Sequence, residues 1–315
     1  MTTRSHGPVR HGVRALGGAI ALGAAALAYA RIEAELFTVR RYTLPVLPSG
    51  AQELKVLHIS DLHMTPRQGR KTRWVRELAA LEPDVVINTG DNMAHTHALP
   101  VVLDALDPLL DVPGVFVMGS NDYYGPRMKN PARYLLKDPE KRIIPQPEQL
   151  PAAELGQAMS ERGWHDLTNT RSTHTINGTH IEWVGVDDPH INRDVYPVRE
   201  PRAAGALRIG VTHAPYQRTL NAMHNDECSL IIAGHTHGGQ LCIPGFGALV
   251  TNCDLDRGRA RGVSGWPGPR PDEPGGEDSS WLHVCAGLGT SPYTPVRVAC
   301  RPEAVLLTLV PADGT

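Results

Sequence analysis

Aromatic residues are scarce in this chain: three Phe, five Trp and eight Tyr make up 5% of 315 residues. Gly and Pro are abundant instead, 31 and 27 residues, a mix that suits a loop-rich globular domain rather than a coiled coil or a disordered chain. Charge of one sign is also lacking. A formal net charge of −2 gives no reason to expect duplex nucleic acid or an anionic membrane surface as the main partner. Cysteine motifs are missing as well: Cys228, Cys242, Cys253, Cys285 and Cys300 form no CxxC or zinc-knuckle spacing, and their number is odd. They read as buried free thiols in a reducing compartment, with a Cys242–Cys253 disulfide as the alternative. Histidine is the residue in excess, fifteen in all, which points toward metal or proton chemistry. The length allows one large α/β domain or two small ones.

A long hydrophobic run is lacking too. Ala15–Ala30 is uncharged over sixteen residues, between the roughly 7–15 of a signal-peptide core and the roughly 17–25 of a spanning helix. Arg4, Arg10 and Arg14 precede it and Arg31, Arg40 and Arg41 follow, so the positive-inside rule decides no orientation. The run has no polar face, which disfavours a helix buried in a soluble domain. The expectation is an uncleaved membrane anchor at 15–31 behind a tail at 1–14. A secretory signal cut at Ala28-Tyr29-Ala30 is the alternative.

Residues 32–53 read as a linker with a strand-like piece, FTVRRYTLPVLP. From Leu54 strands and helices alternate. LKVLHIS (54–60), DVVINTG (84–90) and GVFVMG (114–119) read as strands; TRWVRELAAL (72–81) and LPVVLDALDPLL (99–110) read as helices. This order argues for a largely parallel sheet with right-handed crossovers, and the unbroken apolar strands for a sheet covered on both faces. A hairpin follows around Asn177-Gly178, and ALRIGVTH, CSLIIAGH, WLHVCAGLG, VRVAC and AVLLTLV continue the strand pattern. The Pro- and charge-rich 125–151 reads as an insertion over the sheet's end, placed to act as a lid, and 266–280 as a mobile surface loop. The main domain spans 54–311.

Five fragments stand where a strand gives way to a loop: SDLH, GDN, GSND, THAP and GHTHGGQ. In open α/β sheets the carboxyl ends of strands collect sites, so residues far apart in sequence converge there. Asp61-x-His63 and His235-x-His237 are i, i+2 pairs, a spacing that sets two side chains on one face of extended backbone. Carboxylate plus imidazole suits Mn, Fe, Zn, Co or Ni rather than Ca. Asp91, between the two sets, is the natural bridging carboxylate for two ions about 3.5–4 Å apart. Other polar residues near these loops are weaker candidates: His95 and His97, Tyr123 and Tyr124, and Asp187, Asp188 and His190. His58, inside a strand, reads as a satisfied core histidine.

The order D-x-H, GDN, G-x-N-D, H, GHTHGGQ resembles the calcineurin-like metallophosphoesterase superfamily. VLHISDLHM, AGHTHGGQL and the tail GLGTSPYTPVRVACRPEAVLLTL resemble its membrane-associated bacterial branch of YkuE-like and YaeI-like phosphodiesterases. The resemblance covers about Leu54 to Val310. It implies a four-layer αββα sandwich, two mixed sheets flanked by helices, with two divalent ions (Mn, Zn, Fe or Co) between the sheets. Asp61, His63, Asp91 and His237 match the ligands of one ion; Asp91, His213 and His235 match those of the other. The family's GNH loop adds an Asn ligand and a His that serves the leaving group. Here Ser120 and Asn121 fill those two places, followed by Asp122. Either the loop shifts and Asn121 becomes the seventh ligand, or Ser120 and a water fill the position. Asp91, Asn121 and Asp122 make up the expected catalytic set.

The implied activity is hydrolysis of a phosphomonoester, phosphodiester or pyrophosphate by a metal-bridging hydroxide. The substrate would be membrane-associated or lipid-linked, and the chain a monomer. An Asn amide gives up no proton near neutral pH, so poor leaving groups suffer most. The alternative is a metal-bound phospholigand-binding protein with weak or no turnover.

Overall fold

The structure, a computed structural model, describes residues 7–127 and 148–312, with side chains from Gly18 onward. Fourteen strands are described: β1 (Thr38–Leu47), β2 (Leu54–Ile59), β3 (Val85–Asn88), β4 (Gly114–Phe116), β5 (Trp164–Asp166), β6 (Thr170–Ile176), β7 (Thr179–Gly185), β8 (Leu207–Val211), β9 (Leu230–Ala233), β10 (Cys242–Ile243), β11 (Gly247–Ala248), β12 (Gly262–Trp266), β13 (Ser280–Val284) and β14 (Glu303–Pro311). The helices are α1 (Gly7–Glu33), α2 (Gly69–Glu77), α3 (Leu99–Leu106), the short α4 (Ser120–Tyr123), α5 (Ala152–Glu161) and α6 (Gln217–His224).

Two six-stranded sheets form, in the orders β1-β14-β2-β3-β4-β5 and β12-β13-β9-β8-β7-β6. Both are mixed: β14 runs antiparallel to β2, β13 to β12 and β7 to β6, and their other pairings are parallel. The alternation within strands explains the layers. On β2, Leu54 and Val56 meet Trp183, Ile209 and Trp281 of the second sheet, whereas Leu57 and Ile59 face Val75, Val102 and Leu106 of α2 and α3. On the far face of the second sheet, Ile231 and Leu282 cover Leu220 and Met223 of α6. Helices, sheet, sheet, helix: this is the expected αββα sandwich, held by three apolar layers.

The sequence patterns place most elements. The hairpin turns at Asn177-Gly178 with Ile176 opposite Thr179. The strand-like piece within 32–53 forms β1, which pairs in parallel with β14 from Thr38↔Glu303 to Leu47↔Pro311, so this segment is part of the first sheet as well as a connection. VRVAC, read as a strand, makes only a single bridge, Leu241↔Val298. The expected lid at 125–151 lies mostly outside the described residues. The 266–280 segment connects β12 to β13, and Arg259 holds it by donating to the Pro267 and Gly268 carbonyls. All five cysteines are buried.

Helix α1 is fastened at its C-terminal end. Arg297 N–H donates to the Ala30 carbonyl at 2.9 Å, and Cys300 N–H to Glu33 Oε1 at 2.7 Å. Ile20, Leu22, Leu27 and Ile32 stay exposed. Among the described residues no helix is long and apolar enough to cross a membrane.

Candidate metal centre

The strands of both sheets end at one place, and the five fragments meet there. Asp61 and His63 follow β2, Asp91 follows β3, Asn121 lies in α4 after β4, His213 follows β8, and His235 and His237 follow β9. Asp61, His63, Asp91, His235 and His237 all have positive φ, between 43° and 67°. That backbone costs non-glycine residues about 1–3 kcal/mol each, a strain characteristic of functional sites. It turns adjacent side chains into one cradle where a regular strand would alternate them.

The cradle has two halves sharing Asp91. On one side His63 Nε2 lies 3.2 Å from His237 Nε2 and 3.4 Å from Asp91 Oδ2, and His237 Nε2 lies 3.6 Å from Asp61 Oδ1. On the other, His213 Nε2 lies 3.5 Å from Asp91 Oδ1 and 3.3 Å from His235 Nδ1. Within each of the sets Asp61/His63/His237 and Asp61/Asp91/His213, one ligand atom per residue falls within 4.8 Å of the others. Asp61 Oδ1 is buried with no hydrogen-bond partner among the described residues. Such a lone pair is costly to bury unless something positive meets it. The donor set therefore fits divalent cations of the Mn–Zn group.

The electrostatics agree. Burial holds His63 down at about 4 and keeps His235 and His237 well below their ordinary range, so all three are neutral, as ligands must be. Neighbouring positive or imidazole groups, Arg297 beside His237 among them, add to this. Burial also pushes Asp61 up to about 6. At Asp91 burial opposes ionisation, but His213, as donor and as charge, overrides it and holds the carboxyl well below its usual value. Two rings are oriented from outside. His213 Nδ1 donates to the Thr89 carbonyl at 2.6 Å and His235 Nε2 to the Asn252 carbonyl at 3.2 Å, which turns His213 Nε2 and His235 Nδ1 inward. Burial opposes a charge on His213, but without a cation Asp91 and the other carboxylates around it raise the ring well above its ordinary value, so its Nε2 carries a proton where a metal would bind.

The altered loop is placed against Asp91. Asn121 N–H and its side-chain Nδ2 donate to Asp91 Oδ1 and Oδ2, both at 2.7 Å. Ser120 Oγ is 3.4 Å from Asn121 Nδ2. Asp122 is buried beneath, its carboxylate accepting from the N–H groups of Asp91, Asn92 and Gly119 at 2.8–3.0 Å. These backbone donors on its carboxylate hold the loop in place. Gly119 is required by close approach, because a Cβ there would stand 2.3 Å from Asp91 Oδ1.

The weaker candidates divide. His190 joins the site's edge, its ring 4.6 Å from that of His235 and its Nδ1 3.0 Å from Tyr216 Oη. Asp188 caps the turn carrying His190, and burial pushes it up to about 7. Tyr123 donates to Asp187 Oδ1 at 3.0 Å beneath Arg193. His95 and His97 are exposed and contact each other. A groove of about 830 Å³ opens beside the altered loop, lined by Thr96, Met118, Tyr123 and Thr168 among others.

Several contributors escape sequence reasoning. Ser60 and Thr89 lie inside the quoted motifs, so their position was the available signal. Gly287 and Arg297 lie inside the quoted tail GLGTSPYTPVRVAC, and only Asn252 carried no signal. Gly287, at φ 68°, passes so close to Asp61 that a Cβ would stand 2.5 Å from the Asp61 Cβ. Arg297 is fully buried, donating to the carbonyls of Ala286, Gly287 and Gly289, with Nη2 3.3 Å from His237 Nδ1.

Comparison with known proteins agrees with this geometry. The family model for calcineurin-like phosphoesterases matches residues 54–239. An uncharacterized metallophosphoesterase of Aquifex aeolicus is 25% identical over 90% of this chain and 95% of its own length. Phosphodiesterase YaeI of Escherichia coli is 23% identical over 87% of this chain and 88% of its own. A transmembrane protein with metallophosphoesterase domain from Danio rerio is 23% identical over 62% of this chain and 43% of its own. With the αββα sandwich and the strand-end cradle in place, the chain belongs to the calcineurin-like phosphoesterase family and is a phosphoester hydrolase.

Proposed function

We propose that the chain is a phosphodiesterase dependent on two divalent cations, favouring substrates with good leaving groups and working at a membrane surface. One observation supports the metal dependence above the rest. Asp91 offers Oδ2 to the Asp61/His63/His237 side and Oδ1 to the His213/His235 side, while Asp61 Oδ1 stays buried without a partner. Bound cations would supply Lewis acidity toward phosphoryl oxygens and acidify a water. The chain's own part is to hold those cations with neutral imidazoles, to orient Asp91 through Asn121 and Asp122, and to keep the pocket open beside the groove.

Asn121 is the reason for the leaving-group preference. Its amide donates hydrogen bonds but releases no proton near neutral pH, so a departing alkoxide finds no acid there. Support for the membrane comes from α1, whose Ile20, Leu22, Leu27 and Ile32 are exposed, and from similarity to the Danio rerio transmembrane protein with metallophosphoesterase domain.

The test is a hydrolysis panel on the intact chain with Mn²⁺, Zn²⁺, Co²⁺ and Mg²⁺. Aryl phosphodiesters should turn over about 10²-fold or more faster than dialkyl ones, and Asp91→Ala should abolish both. Full activity in Asp91→Ala or with a strong chelator present sinks the metal reading. A vesicle-borne phosphodiester cleaved no faster than its short-chain soluble analogue removes the membrane part alone.

A further inference from the structure

Two histidines outside the cradle face each other between the sheets. His58 lies on β2 and His283 on β13; both are fully buried, with Nδ1 3.0 Å from Nδ1. From His58 a line of contacts runs to the cradle. His58 Nε2 is 3.0 Å from Thr89 Oγ1, Thr89 Oγ1 is 2.7 Å from Ser60 Oγ, and Ser60 Oγ is 2.5 Å from Asp61 Oδ2.

The direction of every bond in this line follows from its end. An ionised carboxylate only accepts, so Ser60 donates to Asp61. The Ser60 oxygen then accepts from Thr89, whose oxygen in turn accepts from His58 Nε2–H. A neutral imidazole has one N–H, so His58 Nδ1 is an acceptor and His283 Nδ1–H supplies it. His283 Nε2 becomes the bare end of the line, and it has no partner among the described residues.

We propose that His283, His58, Thr89 and Ser60 form a polarised relay across the two sheets that decides which oxygen of Asp61 faces the cradle. His58 and His283 are positioning residues in it. Asp61 Oδ2 receives Ser60 O–H and His235 N–H, at 2.5 and 3.0 Å, while Oδ1 receives nothing from the described residues and points toward His237. Donors aligned toward one charge polarise each other, so the whole line strengthens the last bond. Apolar residues of similar shape would fill the same space without the burial cost of four polar groups. The relay also makes the orientation of a ligand from the first sheet depend on a residue of the second.

The consequence for metal binding rests on Asp61 being a ligand, so the test has two arms. In the first, ¹⁵N NMR of histidine-labelled, metal-free protein reads the tautomers directly. The relay requires His58 protonated on Nε2 and His283 on Nδ1; the other tautomer on either ring overturns it, whatever the metals do. In the second, Mn²⁺ is titrated into wild type, Ser60→Ala, His283→Leu and the double variant. Ser60→Ala should bind about 10–100-fold more weakly and His283→Leu a few-fold more weakly. The double variant should match Ser60→Ala, because a cut relay carries nothing further. Losses that multiply overturn the relay. Wild type that takes up no Mn²⁺ refutes the metal reading instead, and the tautomers still decide the relay. If His283→Leu does not fold, isosteric Thr89→Val cuts the same line and should show the same non-additivity with Ser60→Ala.

Discussion

Asn121 spends both its backbone N–H and its side-chain amide on Asp91, at 2.7 Å each. It therefore steadies the shared carboxylate, and its amide offers no acid at the point where the GNH pattern it resembles would place an imidazole. Replacing the pair, Ser120→Asn with Asn121→His, should raise turnover of dialkyl phosphodiesters by about 10²-fold or more and that of activated aryl esters far less. Equal changes on both substrates in steady-state assays would show that proton supply is not what limits this loop. The convergence of Asp61, His63, Asp91, His213, His235 and His237, the proposed metal ligands, was legible because their chemistry is written in residue type and order. Ser60, Thr89, Asn252 and Gly287 were not. Each is an ordinary residue whose contact exists only after distant segments meet, and the left-handed backbone at five cradle residues follows from no local propensity.

Strands β2 and β13 carry a titration consequence of their own. Burial, then the charge of His283, keeps His58 well below its ordinary value, and burial holds His283 at about 3. Both rings are neutral in the folded chain, while in the unfolded chain they protonate near 6.5. The stability they contribute is complete above that pH and is lost progressively as pH falls toward 3, because the unfolded state binds more protons. Each ring adds a slope of up to about 1.4 kcal/mol per pH unit. Urea unfolding of chelator-treated protein between pH 6 and 4 should show a shallower pH dependence in His283→Leu by about that amount; an unchanged slope contradicts the burial of a neutral pair. Most strands and the hairpin were legible from alternation and turn chemistry. The strand-like piece that forms β1 was legible as well, but its place in the first sheet was not, because its partner β14 lies more than 250 residues away. VRVAC misled in the other direction: β-branched residues suit a strand, but here they run past β10 with a single bridge.

At the scale of the molecule, two apolar sheet faces and their helices form a scaffold that brings seven loop residues from both sheets to one end. The αββα architecture followed from the ordered motifs and the family they resemble. Strand periodicity alone argued for one largely parallel sheet, because it cannot report that two sheets stack. Helix α1 is hydrogen-bonded to this scaffold through Ala30 and Glu33, and its Ile20, Leu22, Leu27 and Ile32 leave an apolar surface that the sandwich does not cover. The central claim is that the cradle holds two cations through a shared Asp91. Elemental analysis of protein loaded with Mn²⁺ and desalted tests it most directly. The account predicts two ions per chain in wild type, one in His235→Ala, and fewer than one in Asp91→Ala. A wild type with no bound ion, or an ion content that Asp91→Ala leaves unchanged, would contradict it.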